Sequence, residues 1–315
     1  MHPWNEPLLD SIRKRAATLP HALLIHGPRG VGKLALAERV AQLLLCESKA
    51  QKPCGECEGC RWFVAGNHPD FRRVEPEALA PVQEAEEGAE EKKKKPSQDI
   101  RIEQIRGLAD FLNIGSHRRG RRVALVHPAE DMVPAAANAL LKGLEEPPAA
   151  AMFILVSHRP ARLLPTIRSR CVALPIPVPP KETALKWLAG EKLKDAERWL
   201  AYAGGAPIRA LEYASTGDSV DELLGLIRSR AQIVVDDRAS LEALAEALQK
   251  YALDRALTSF GAPEMFRTGG KAAQAASGRA WLAYARKMGE NRQLARHPLN
   301  ARLFAAEMLA AMPRD

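Results

Sequence analysis

Ala22-Leu-Leu-Ile25 leads through His26 into Gly27-Pro-Arg-Gly-Val-Gly-Lys33-Leu34, and an alanine- and leucine-rich segment then runs to Leu45. A short apolar run, a cluster of glycines and a helical period predict a strand, a loop and a helix over 33–45. Seven of the eight loop positions suit the Walker A pattern, in which backbone amides and a lysine cradle phosphates. Gly27, Gly30, Gly32 and Lys33 are therefore the candidate phosphate-binding residues. The eighth position decides the chemistry. Magnesium needs a Ser or Thr hydroxyl after the lysine, and Leu34 has none. Binding of ATP or ADP stays open, while hydrolysis is not expected.

A second apolar run, Val123-Ala-Leu-Val126, tests that reading. A working site would end this strand in acids that hold magnesium and position water, but the chain continues His127-Pro128. Glu130 and Asp131 follow, where the chain is expected to have turned away. His127 reads as a surface residue without a catalytic role. A helical pattern over 100–112, another over 135–146 and a third apolar run over 152–157 complete an alternation of strands and helices. That order predicts a parallel sheet with flanking crossover helices.

Four of the five cysteines, Cys46, Cys54, Cys57 and Cys60, stand within fifteen positions. Gaps of two residues let neighbouring thiolates converge, and four close a tetrahedral zinc shell. Such a shell has no open position and is structural. An iron–sulfur cluster is the weaker reading, since the Cys-Pro ending of ferredoxin-type runs is missing. His68, ahead of Pro69-Asp70, could replace Cys46 as a ligand but reads as structural. The module spans 46–68. Residues 75–97 carry seven glutamates ahead of Lys92 to Lys95 and are expected to form a mobile insertion.

Pro175, Pro177, Pro179 and Pro180 predict a stiff linker, and everything after it is helical in pattern. The expected domains are an α/β domain over 1–174, a helical domain over 175–217 and a second helical domain over 218–315. The net charge of +8 is compatible with a polyanionic partner, while 5% aromatic residues argue against base-stacking platforms. Arg118, Arg119, Arg121 and Arg122 can meet DNA phosphates or form a solvated basic loop. No apolar run approaches a membrane span, and the opening residues do not read as a signal peptide. A cytoplasmic location is expected.

Three further strings are informative together. Asn138-Ala-Leu-Leu-Lys-Gly-Leu-Glu-Glu-Pro-Pro148 resembles the segment after Walker B in the AAA+ subunits of bacterial clamp loaders. Ser169-Arg170-Cys171 is similar to their Ser-Arg-Cys motif, whose arginine acts as a finger on a neighbour's nucleotide. Gly204-Gly-Ala-Pro-Ile-Arg209 is similar to their sensor 2 region, and Asn291 to Asn300 resembles the end of one proteobacterial branch. The resemblance implies an AAA+ module, a helical lid and an all-α collar in a five-subunit ring with gamma/tau and delta. The ring would load the beta sliding clamp onto primed DNA as part of the DNA polymerase III holoenzyme. Loss of the Walker A hydroxyl and the Walker B acids sets this chain apart from gamma/tau and implies a stator that supplies Arg170 in trans. Arg209 would be a vestigial sensor, or an ordinary lid residue. Arg170 could instead pair with a carboxylate of its own domain. Two other functions compete: an active ATPase with metal ligands such as Glu130, and a DNA-binding module.

Overall fold

The computed structural model describes residues 1–49, 52–80, 96–114, 120–269, 278–295 and 300–314. The chain forms two compact units, Met1–Val178 and Pro179–Asp315.

The first unit holds helices α1 (Glu6–Lys14), α2 (Lys33–Leu45), α3 (Glu58–Val64), α4 (Ile102–Asn113), α5 (Pro134–Glu145) and α6 (Pro165–Arg170). Its strands are β1 (Ala22–His26), β2 (Phe71–Val74), β3 (Arg122–Val126), β4 (Ala151–Ser157) and β5 (Val172–Pro175). They pair in parallel in the order β2-β3-β4-β1-β5. The expected parallel sheet with flanking helices is present. Strands β3 and β4 are buried throughout, which explains their unbroken apolar runs. One core face packs Leu24, Ala124, Val126, Phe153 and Leu155 against Leu108, Leu112, Leu140 and Leu144 of the helices.

The edge strands are corrections to the sequence reading, which anticipated three strands. Strand β2 is Phe-Arg-Arg-Val and is half-exposed, whereas β5 ends on Pro175, assigned above to the linker. An edge strand tolerates proline because its outer N–H has no ladder partner to lose. Part of the expected insertion is also fixed in place. Glu75 is buried against Arg73, its carbonyl accepts from Gln104 Nε2 at 2.8 Å, and Glu77 accepts from the backbone of Ser97 at 2.9 Å. The remainder, 81–95, lies outside the described residues.

The second unit is helical among its described residues: α7 (Lys181–Gly190), α8 (Ala196–Tyr202), α9 (Pro207–Ser215), α10 (Gly217–Ser229), α11 (Arg238–Ser259), α12 (Gly278–Leu294) and α13 (Ala301–Ala310). One apolar cluster, including Leu188, Trp199, Leu244, Trp281 and Met308, runs through it. The division expected near 217 falls at the first residue of α10.

Candidate functional site

The phosphate loop leaves the C-terminal end of β1 and enters α2. Gly27, Gly30 and Gly32 all have positive φ, at 151°, 83° and 81°. Backbone packing enforces the first, and a side chain crowds the third. A Cβ on Gly27 would lie 2.2 Å from the carbonyl oxygen of Ile176, and one on Gly32 would lie 2.4 Å from His2 Cδ2. The N-terminal segment is seated on the loop. Trp4 Nε1 donates to the Val31 carbonyl at 3.0 Å, and Asn5 Nδ2 to the same oxygen at 3.1 Å. Lys33 is 2% exposed, and its ammonium donates to Gly27 O at 2.8 Å and to Pro28 O. Burial, with Arg29 reinforcing and Glu130 opposing, lowers its pKa to about 8.

Register carries the ends of β3 and β4 to the same edge, since His26 pairs with Ser157 and Val126 with Leu155. His127 and His158 meet there edge to face, with ring centroids 5.3 Å apart. Burial, then the charges of Arg73, Lys33 and Arg29, holds His127 at about 4. Burial, then chiefly Lys33, holds His158 at about 2. Both rings are neutral at pH 7. The chain does turn after Pro128, but the turn brings Glu130 back rather than away. Its Oε1 accepts from the backbone of His158 at 2.9 Å. Among the described residues, Glu130 Oε2 and Nδ1 of both histidines are buried without a hydrogen-bond partner. His127 is therefore half-buried, with its Nδ1 turned inward, rather than fully exposed as expected. His158 had no local signal, since it stands 31 positions from His127 and is brought to it by the pairing of β3 with β4.

The cysteines converge as their spacing predicts. All four Sγ atoms lie within 4.8 Å of one another, and the pairs Cys46–Cys54, Cys46–Cys57 and Cys54–Cys60 are 3.6, 3.9 and 4.0 Å apart. A tetrahedron with metal–sulfur bonds of about 2.3 Å has edges of about 3.8 Å, so this donor set fits a four-sulfur shell. Backbone N–H groups of Cys54, Cys57 and Cys60 point at the sulfurs of Cys46, Cys54 and Cys57 from 3.3–3.4 Å. The N–H of Cys57, then that of Glu56, pulls the Cys54 thiol below its ordinary pKa. Cys46 ends α2 and Cys57 caps α3, so the group joins two helices. His68 is outside it; its Nδ1 accepts from the backbone of Asp70 at 3.0 Å.

Arg170 ends α6, 35% exposed. Its Nη2 lies 2.6 Å from Glu145 Oε1 and its Nη1 donates to Thr166 O at 3.0 Å. Arg209 belongs to the second unit and pairs with Glu212 and, at 3.4 Å, with Glu246. The basic loop reading is corrected in two places. Arg122 is buried, 3.2 Å from Asp70 and 4.4 Å over the Phe111 ring, because it opens an interior strand. Arg121 donates to Ala16 O at 3.3 Å. Arg118 and Arg119 lie outside the described residues. No helix among the described residues is long and apolar enough to cross a membrane.

Against known proteins, the profile of the family described as DNA polymerase III, delta subunit, matches residues 6–180. The chain is 43% identical over 215 residues to the DNA polymerase III subunit delta' of Pseudomonas aeruginosa, covering 67% of this chain and 60% of that protein. It is 34% identical over 216 residues to the subunit delta' of Escherichia coli, again covering 67% and 60%. The corresponding Haemophilus influenzae protein is 32% identical over 222 residues, covering 69% and 62%. The chain thus spans about 60% of the length of the relatives it matches. With a matched profile over more than half of its residues and relatives of this identity, the chain belongs to the DNA polymerase III delta' subunit family.

Proposed function

We propose that this protein is the non-hydrolysing stator of a clamp loader. It assembles with gamma/tau and delta to place the beta sliding clamp on primed DNA, in the cytoplasm. Its AAA+ module, lid and collar would correspond to 1–174, 175–217 and 218–315. Arg170 acts in trans on ATP held by a neighbouring subunit. Zinc on Cys46, Cys54, Cys57 and Cys60 closes a structural shell and fixes the module between α2 and α3. At the chain's own loop Leu34 offers magnesium no oxygen, and the edge of β3 offers a neutral imidazole where a carboxylate is needed. Phosphate can still be held by the loop amides once Lys33 exchanges its carbonyl partners.

The observation that carries this reading is the balance at Arg170. Its pairing with Glu145 joins side chains 35% and 49% exposed. An exposed pair of this kind is worth about 0–1 kcal/mol. An arginine finger contributes ~10³–10⁵ in rate, or roughly 4–7 kcal/mol of barrier. A partner's phosphates can therefore outcompete Glu145 readily. The guanidinium neutralises charge developing on the transferred phosphoryl group, and lysine lacks its planar fork.

The test is a loader reconstituted with Arg170→Ala or Glu145→Ala. Arg170→Ala should assemble, lose part of the DNA-stimulated ATPase and lose more of completed loading, while Glu145→Ala should behave as wild type. Wild-type rates in Arg170→Ala would sink the finger, and failed assembly in both would assign the pair to the fold. One observation favours a second reading, an active ATPase: Glu130 does face the strand ends. Turnover of ATP by the isolated chain with magnesium would establish it.

A further inference from the structure

The resemblance gives Arg209 a nucleotide-sensing position, yet the second unit surrounds it with other work. Its Nη1 bonds Glu212 on its own helix, and its guanidinium stacks 4.4 Å over the Tyr213 ring. Its Nη2 faces Glu246 Oε2 at 3.4 Å. Glu246, on α11, is 16% exposed and collects charge from three helices. Arg292 of α12 lies 3.2 Å from Oε2, Lys250 lies 3.0 Å from Oε1, and the Tyr213 hydroxyl donates to Oε1. Lys250 also donates to the Tyr213 oxygen at 2.7 Å and sits 3.9 and 4.1 Å from the Tyr202 and Tyr213 ring centroids. Arg292 also donates through Nη1 to Gln249 Oε1 at 2.9 Å.

We infer that Glu246 withdraws Arg209 from nucleotide chemistry and commits it, with Lys250 and Arg292, to fixing α9 against α11 and α12. The inference rests on the family reading of residues 204–209 as sensor 2. Its physics is that of a buried charge cluster. Three cations converge on one carboxylate, and removing it leaves Lys250, 9% exposed, uncompensated and Arg209 and Arg292, 22% and 32% exposed, without their shared partner. A guanidinium that must leave Glu246 to reach a phosphate would break this arrangement, so it serves the fold.

The experiment uses the full chain with Arg209→Ala, Glu246→Gln and the double variant. Thermal unfolding gives the couplings, and ADP titration gives the affinity. Each single change should lower Tm by about 5 °C or more, and the double should lose clearly less than the two together, because both remove one interaction. ADP binding should match wild type within about twofold in Arg209→Ala, and no detectable binding in either protein agrees equally. A wild-type Tm, additive losses, or a tenfold fall in ADP affinity for Arg209→Ala would each overturn the inference. Should Glu246→Gln fail to fold, Glu246→Asp, which keeps the charge but withdraws it from Arg209, takes its place in the same cycle with Arg209→Ala. None of these measurements involves clamp loading, so failure of the stator reading would appear separately.

Discussion

Replacing Gly27 by alanine separates the glycine that a phosphate requires from the glycine that the fold requires. Gly27 sits at φ 151°, and an added Cβ would lie 2.2 Å from the Ile176 oxygen and 3.2 Å from its carbonyl carbon. That carbonyl is held in place. Ile176 N donates to His26 O at 2.7 Å, and Gly27 N donates to Ser157 O at 3.3 Å, so both neighbours of β1 pin the loop's first residue. Relief of a carbon–oxygen contact to the usual ~3.3 Å demands a backbone shift of about 1 Å. The unfavourable φ costs about 1–3 kcal/mol and the overpacking about 1–3 kcal/mol, giving roughly 2–6 kcal/mol together. At ~2–4 °C per kcal/mol for a unit of this size, Tm should fall by on the order of 10 °C. Gly55→Ala is the control. It also has positive φ, at 80°, but nothing lies within 4 Å of its added Cβ, so it should lose only about 1 kcal/mol. Urea unfolding followed by circular dichroism, with and without ADP, reads both variants. A Gly27→Ala protein within 0.5 kcal/mol of the parent would refute the packing argument.

Three other outcomes are expected. Freshly purified, reduced protein should carry one zinc per chain by elemental analysis, and Cys57→Ser should lower that content and loosen 46–68 to hydrogen exchange while the sheet survives. Lys33→Ala should retain most of clamp loading, because the ammonium is already bonded to Gly27 O and Pro28 O; a collapse of loading in an assembled complex would contradict this. Stability should fall on acidification through Glu246, whose carboxyl is held at about 2 rather than 4.5, against burial, by Lys250, Arg292, Tyr213 and Arg209. A depressed carboxyl pKa stabilises above its unfolded value, so up to roughly 3 kcal/mol should be lost between about pH 4.5 and 2, and Glu246→Gln should flatten that slope. Lys250 works in the opposite sense. Burial lowers it to about 8, so its contribution should improve from about pH 8 to 10.5, and a slope of the other sign there in wild type that Lys250→Met leaves unchanged would count against it.

The interior of the sheet was legible because strands buried on both faces leave unbroken apolar runs, as in Val123-Ala-Leu-Val126 and Met152 to Val156. The edges were not. Phe-Arg-Arg-Val and Val-Ala-Leu-Pro carry neither a long run nor a clean alternation, since one side of each strand meets solvent. The cysteine group was readable because its ligands are local and the gaps themselves bring sulfur near sulfur. Arg122 misled because composition records charge without direction; a strand's first residue turned it onto Asp70 and Phe111. Glu130 and His158 join the loop through strand register, and Glu246 reaches Arg209 across 37 positions. Contacts of that separation have no local signature.

Magnitudes also decide which motif is evidence of what. Gly27 is needed by the Ile176 carbonyl whether or not a phosphate ever arrives, and Lys33 finds its partners in the loop's own backbone. A glycine-rich loop can therefore persist in a chain that turns over no nucleotide, and its presence is weak evidence for catalysis. Arg170 is the contrary case. Its side chain meets an exposed glutamate and a carbonyl on its own helix, contacts whose loss should cost the fold about 1 kcal/mol or less. A residue that the fold hardly requires is best explained by something outside the fold. As proposed above, that something is a neighbour's phosphate, for which Arg170 would have to exchange only its exposed Glu145 partner and the Thr166 carbonyl.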